Sequence, residues 1–300
     1  MNDYIHINGQ LLPYDHASIA PGDAGFLHGA GLFETLRSRN GKIFRPRQHL
    51  ERLSTSADIL AISLSLDESQ LTDLATELLE ANDLMYGDAR LRLTISRGDT
   101  HAISDENPTP PITLVLTAQR LNPYPTTLYH TGMTVINSRF KQNLDSPITG
   151  HKCTSYFERL AALREAHAAR AGEALWFTAH SNYLAEGSIS NVFIVDQDGH
   201  LATPPLTLPI ENSPLAPHTA PRLCLPGIAR QVILECATQI NILPHERLLT
   251  IHDLLSAREV FLTNILMGAM PVTQIEQHPV ASGKPGSLTT ELHQAFLALQ

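Results

Sequence analysis

Residues 146–166 read SPITGHKCTSYFERLAALREA, and Lys152 stands just before a run, Tyr156 to Ala169, that is expected to be a helix. The other early positions of that helix are polar or small. A lysine there is either a solvated residue at a helix start or a group held for chemistry, and the segments around it decide between the two. Upstream, MTVINS (133–138) is expected to be a strand. Downstream, ALWFTA (174–179) and SNVFIVD (190–196) are expected as further strands. The amphipathic helix GIARQVILECATQI (227–240) is entered through Pro226 and Gly227.

Three neighbouring segments carry groups that a reactive lysine would need. LAEGSISNVFIV places Glu186 in a Gly-Ser turn leading into an apolar strand. A buried carboxylate is costly unless paired, and a protonated pyridine nitrogen is one partner that would keep it ionised; a turn residue facing water is the other reading. LPGIAR sets Gly227, Ile228 and Ala229 at a helix N-terminus, where free N–H groups and the helix dipole bind phosphate. FRPRQHLERL puts Arg45, Arg47 and Arg52 near a helix, from which one guanidinium can clamp a phosphate.

The first half is built differently. IHINGQLLP reads as a hairpin turning at Asn8-Gly9, residues 46–61 and 67–82 carry apolar positions at helical spacing, and RLRLTIS (90–96) alternates as a strand. ITLVLTA, from Ile112, is expected to be a more fully buried strand. LNPYPTTLYH (121–130), with Pro123 and Pro125, is expected to connect two domains. This divides the chain into a small α+β domain (1–120), a linker (121–130) and a larger domain (131–300). From Pro204 to Pro226 there are seven prolines, too many for regular structure, which suggests an extended surface loop.

Composition narrows the functional classes. A chain of 300 residues, 43% hydrophobic and 17% charged, can build two separate cores. With 21 Lys+Arg against 30 Asp+Glu, the net charge of -9 argues against a nucleic-acid binder. Cys153, Cys224 and Cys236 show neither metal-ligand nor disulfide spacing, so three reduced structural thiols and no metal are expected. No stretch approaches a membrane span, and MNDYIHINGQ has no basic segment followed by an apolar run, so a cytoplasmic protein is expected.

Six segments, in order, resemble the fold-type IV pyridoxal-phosphate enzymes: PGDAGFLHGAGLFETLR, HLERL, HKCTSYFERL, EGSISNVFIV, LPGIAR and EVFLTNILMGAMPV. That family comprises branched-chain and D-amino-acid aminotransferases, (R)-amine transaminases and aminodeoxychorismate lyases. The resemblance implies a two-domain fold, small α+β followed by a larger domain with a mixed, barrel-like sheet. It implies that Lys152 carries pyridoxal 5'-phosphate as a Schiff base and that Glu186 pairs with the pyridine nitrogen. The phosphate falls to Arg52 and to the turn of Gly227, Ile228 and Ala229, which leaves Arg45 and Arg47 as surface charges. A second phosphate contact falls on Thr263 and Asn264, where Thr263-Asn264-Ile265 departs from the aminotransferases' Ser-Gly-Thr. Tyr156 is placed at the ring hydroxyl, with a spacing from Lys152 one shorter than in branched-chain enzymes.

The substrate is addressed by the first domain. Arg90 and Arg92 share a strand face with Thr94 and Ser96, a face that either clamps a carboxylate or is solvated. Arg92 matches the arginine of the branched-chain enzymes' Ile-Arg-Pro, and Phe26, His28 and Phe33 are expected to line the pocket. The resemblance implies an aminotransferase moving an amino group from a donor, a D-amino acid or (R)-amine favoured, to a 2-oxo acid, in a homodimer. Thr35 in LFETLR and the run LMGAMPV lean instead toward 4-amino-4-deoxychorismate lyase; the branched-chain L-amino-acid enzymes are the third member of the set.

Overall fold

The structure is a computed structural model and describes residues 3–102, 111–208 and 221–300. Two compact units make up the chain, Met1–Asn122 with His151–Tyr156, and Pro123–Gly150 with Phe157–Gln300.

In the first unit, β1 (Tyr4–Ile7) and β2 (Gln10–Pro13) form the expected hairpin. Asn8 and Gly9 both have positive φ, 52° and 79°, the turn geometry that matches the twist of the paired strands. There follow α1 (Ala24–His28), β3 (Gly31–Arg39), β4 (Lys42–Ile43), α2 (Pro46–Ile59), α3 (Glu68–Ala81), β5 (Asp88–Ser96) and β6 (Thr113–Arg120). Pro46 starts α2, where its fixed φ suits the first turn and its missing N–H has no acceptor to lose. Asp67 and Gln70 cap the start of α3 reciprocally.

The six strands pair antiparallel in the order β2-β1-β6-β5-β3-β4. Leu32 and Leu36 of β3 and Leu91, Leu93 and Ile95 of β5 form one core with Leu50 and Leu53 of α2 and Leu71 and Leu78 of α3. Since the helices cover only one face, β6 is not the buried strand expected from ITLVLTA. Leu116 is buried, whereas Thr113, Val115 and Thr117 are half-buried. Residues 151–156 belong to this unit through backbone pairing with β3. Phe33 N–H donates to Lys152 O at 2.8 Å and Thr154 N–H to Gly31 O at 2.9 Å.

The second unit takes in most of the expected linker, because α4 (Thr126–Thr131) is helical and Leu128 and Tyr129 pack on the second core. It continues with β7 (Met133–Gln142), α5 (Phe157–Ala168), β8 (Glu173–Thr178), β9 (Leu184–Gly187), β10 (Asn191–Val195) and β11 (Leu201–Thr203). Then come α6 (Ile228–Gln239), β12 (His245–Glu246), α7 (Ile251–Ser256), β13 (Glu259–Asn264), β14 (Gly268–Ile275), β15 (His278–Pro279) and α8 (Ser287–Ala298).

The strands form one mixed sheet in the order β12-β11-β10-β13-β14-β7-β8-β9, with β15 on β14. β7 runs parallel to both β8 and β14. β9 ends the order and β10 stands third from the other end, yet only residues 188–190 join them. The sheet therefore curls back on itself, the barrel-like form that the resemblance implies.

Residues 209–220 of the proline-rich segment lie outside the described residues. Its described ends are not the free extended loop expected. Leu208 N–H donates to Pro221 O at 3.0 Å and Leu223 N–H to Leu206 O at 2.9 Å. Proline lacks a donor but keeps its acceptor, so Pro221 still closes such a ladder. The three cysteines are free and buried.

Candidate active site

Strand alternation splits β3 and β5 between two faces. Their leucines go to the helices, and Phe33, Thr35, Arg37, Arg90, Arg92 and Thr94 share the other side, with Thr35 opposite Arg92 and Phe33 opposite Thr94. The backbone pairing at residues 152–154 brings Lys152 to the same place, its Nζ 4.4 Å from the Phe33 ring centroid. The Arg92 guanidinium carbon stands 3.8 Å over that ring, and the Tyr156 ring meets it edge-on at 5.4 Å and 84°. Lys152, Arg92 and Tyr156, all expected site residues, thus surround the ring of another. Burial, with Arg90 adding like-charge repulsion, lowers the pKa of Arg92.

Phe26 and His28 are not brought to this ring. Both lie on the short helix α1, where Phe26 is 77% exposed and His28 is exposed.

On the helix side of β3, Arg52 is held by an acid that the sequence reading passed over. Its Nε donates to Glu34 Oε1 at 2.8 Å and its Nη2 to Oε2 at 2.5 Å, and His49 Nδ1 lies 2.8 Å from Oε2. Burial works to raise the Glu34 pKa, but the Arg52 charge and the bond to His49 outweigh it and leave the carboxyl at about 2. Burial lowers that of His49. The bidentate pair fixes one edge of the Arg52 guanidinium.

A group with a depressed carboxyl pKa stabilises fully above its unfolded value and loses that contribution as pH falls toward the folded one. Glu34 falls from 4.5 to about 2, which corresponds to roughly 3 kcal/mol lost below about pH 4.5. Glu34→Gln is expected to flatten this acid limb, as read from urea unfolding between pH 6 and 3. An unchanged limb would show that Glu34 is not the group responsible.

In the second unit, Glu186 on β9 is 3% exposed. Arg159 of α5 donates from Nη2 to its Oε1 at 2.5 Å, and the Leu225 N–H donates to its Oε2 at 2.9 Å. Arg159 also bonds the carbonyls of Gly187 (3.0 Å) and Ser188 (3.2 Å), so one guanidinium holds both the carboxylate and the turn that follows it. Glu173 supports the turn from the other side, accepting from Ser188 N–H, Ile189 N–H and the Ser190 hydroxyl. Burial pushes the Glu173 carboxyl up to about 7 against those donors.

Gly227 is the N-cap of α6, and no side chain caps that end. The first N–H groups of a helix have no partner within it. A Cβ at Gly227 would lie 1.9 Å from Asn191 Oδ1, so any other residue there would have to displace the Asn191 side chain. Asn191 donates to Leu225 O at 2.9 Å and is in register with Thr263. Thr263 Oγ1 is buried with no hydrogen-bond partner among the described residues, an orphan hydroxyl that fits a phosphate. Asn264 Oδ1 accepts from Leu266 N–H at 3.0 Å and Met267 N–H at 2.9 Å, closing the turn after β13.

Glu34, His49, Arg159, Glu173 and Asn191 were missed from the sequence. For Glu34 and Glu173 a signal was present, since each is an acid in a strand otherwise rich in apolar residues.

Taking a proton from carbon beside an amine requires an electron sink that no side chain supplies, and the orphan hydroxyl, uncapped helix end and cation-paired carboxylate suit one that bears a phosphate and a basic ring. They fit a pyridoxal-phosphate enzyme. The chain belongs to the class IV aminotransferases, whose family model matches residues 31–275.

Pyridoxal phosphate is the cofactor of that family. A D-alanine aminotransferase from Listeria monocytogenes is 31% identical over 97% of this chain and 94% of its own. An aminodeoxychorismate lyase from Bacillus subtilis is 29% identical over 97% and 93%. The branched-chain amino acid aminotransferase of Escherichia coli shares the fold at a TM-score of 0.85 and 24% identity, over 99% of this chain and 94% of that one. Among the described residues no helix is long and apolar enough to cross a membrane.

Proposed function

We propose that the protein is an aminotransferase that moves an amino group from a D-amino acid or (R)-amine to a 2-oxo acid, with Lys152 as the reactive residue. The observation that carries this is the convergence of Lys152, Tyr156 and Arg92 on Phe33. Full-length similarity to a D-alanine aminotransferase supports the choice of donor.

When bound, pyridoxal phosphate supplies the electron sink. Lys152 Nζ removes the proton from the substrate Cα and returns it during transfer, a general-base role that suits its place beside the aromatic ring it shares with Arg92. Arg159 donates to one oxygen of Glu186 and fixes its position, and the carboxylate retains lone pairs that would accept from a protonated ring nitrogen. Gly227, Ile228, Ala229 and Thr263 would hold the phosphate, as would Arg52, whose position Glu34 sets. The same reading includes a homodimer acting in the cytoplasm.

Thr35, opposite Arg92 on the Lys152 face, favours a second reading, the lyase. One set of measurements separates the two. Loss of the cofactor's visible band on adding D-alanine, and its return on adding 2-oxoglutarate, is the expected result. Release of pyruvate and 4-aminobenzoate from aminodeoxychorismate, with no response to D-alanine, would overturn it in favour of the lyase.

A further inference from the structure

Gly187, Ser188, Ile189 and Ser190 lead from Glu186 into β10, and two charged side chains grip this turn from opposite sides. Arg159 takes its carbonyls, those of Gly187 and Ser188. Glu173, at the start of β8, takes its donors. Its Oε1 accepts from Ser188 N–H at 3.0 Å, and its Oε2 from Ile189 N–H at 3.3 Å and the Ser190 hydroxyl at 3.1 Å. Each charge meets the end of the peptide dipole that it stabilises. The turn also lies directly against the acid, since a Cβ at Gly187 would come within 3.2 Å of the Glu173 carboxyl carbon. Glu173 is 2% exposed, and no cation pairs with it among the described residues. Burying such a carboxylate is costly, and a neutral side chain would close a turn at less cost. What the carboxylate adds is that it accepts at both oxygens, which an amide does not.

We infer that Glu173 is a positioning residue for Glu186: by fixing the N–H side of the turn that begins at Gly187, it sets the place from which the Glu186 carboxylate meets the ring nitrogen. Arg159 bonds that carboxylate directly, whereas Glu173 acts through the backbone alone. The inference rests on the reading of Glu186 as the partner of the ring nitrogen.

The test is Glu173→Gln, which keeps the volume and one acceptor but turns an amide NH₂ toward two of the donors. In the protein stripped of cofactor, amide hydrogen exchange over residues 186–190 is expected to speed up by at least about tenfold. In the loaded enzyme, kcat is measured with D-alanine or, on the lyase reading, with aminodeoxychorismate. It is expected to fall by about tenfold or more while KM changes by less than about twofold, a split that a displaced group at the reacting centre produces and a general loss of stability does not. Glu259→Gln is the control for stability alone. Glu259 holds the start of α8 in the same manner, accepting from Leu288 N–H, Thr289 N–H and the Thr289 hydroxyl, and its loss is expected to lower the urea midpoint and leave kcat unchanged. Where Glu173→Gln does not fold, Ser190→Ala, which removes one of the donors, is expected to lower kcat in the same direction. An unchanged kcat in the variant that folds, or an equal fall in Glu259→Gln, would overturn the inference. Glu186→Gln checks the underlying reading by itself. Turnover lost there but kept in Glu173→Gln removes the role of Glu173 alone; turnover kept in Glu186→Gln removes the role of Glu186 and the inference with it.

Discussion

Lys152→Ala is expected to abolish the visible absorption of bound pyridoxal phosphate and to lower turnover by at least about 10⁴-fold, since both the covalent attachment and the mobile proton are lost. Nothing else can take its place. The chain has four lysines, Lys42, Lys141, Lys152 and Lys284. Lys42 is exposed on the short edge strand β4, and Lys141 Nζ donates to Asn182. Lys284 lies exposed in a turn before α8. The absorption spectrum and steady-state rate of the variant check this, with circular dichroism to show that it has folded. A variant that kept full activity would end the proposal for Lys152.

Arg159→Met is expected to destabilise the protein by about 3 kcal/mol, because it leaves a buried carboxylate without its cation and deprives two carbonyls of their donor. The figure is taken at the low end for a broken buried pair, since the Arg159 side chain is 20% exposed against 4% for Glu186. Affinity for the cofactor should fall as well, because Arg159 no longer fixes the carboxylate that is proposed to meet the ring nitrogen. Urea midpoints and cofactor titrations of the variant measure the two effects. Adding Glu186→Gln should restore much of the stability and none of the turnover. If both recovered together, the role of Glu186 would be wrong.

How much of this was legible in the sequence depended on the range of the forces involved. The hairpin at Asn8-Gly9, the helices from Pro46 and Glu68 and the alternation of β5 are local signals, and all of them appear. The burial of β6 was misjudged because periodicity does not say that helices cover only one face of a sheet. Prolines suggested an open loop after Pro204, but a long-range carbonyl bond ties its ends together. For the proposed site, the resemblance of six segments in order is what names Lys152, Arg52, Glu186 and Gly227. Glu34 and Arg159 did not, because each works through a partner 18 or 27 residues away. Phe26, which its place in the motif assigns to the pocket, is exposed on a five-residue helix, an exposure that pattern alone does not set.

The pairing of residues 151–156 with β3 has a consequence for biosynthesis and for dissection of the protein. When the first 122 residues have left the ribosome, the first unit still lacks the segment that bears Lys152, and that segment arrives only after part of the second unit has been made. The first unit therefore completes late, and no single cut separates the two. A fragment ending at Asn122 would expose the N–H of Phe33 and the carbonyl of Gly31 along an unprotected strand edge, an open template for the edge of another chain.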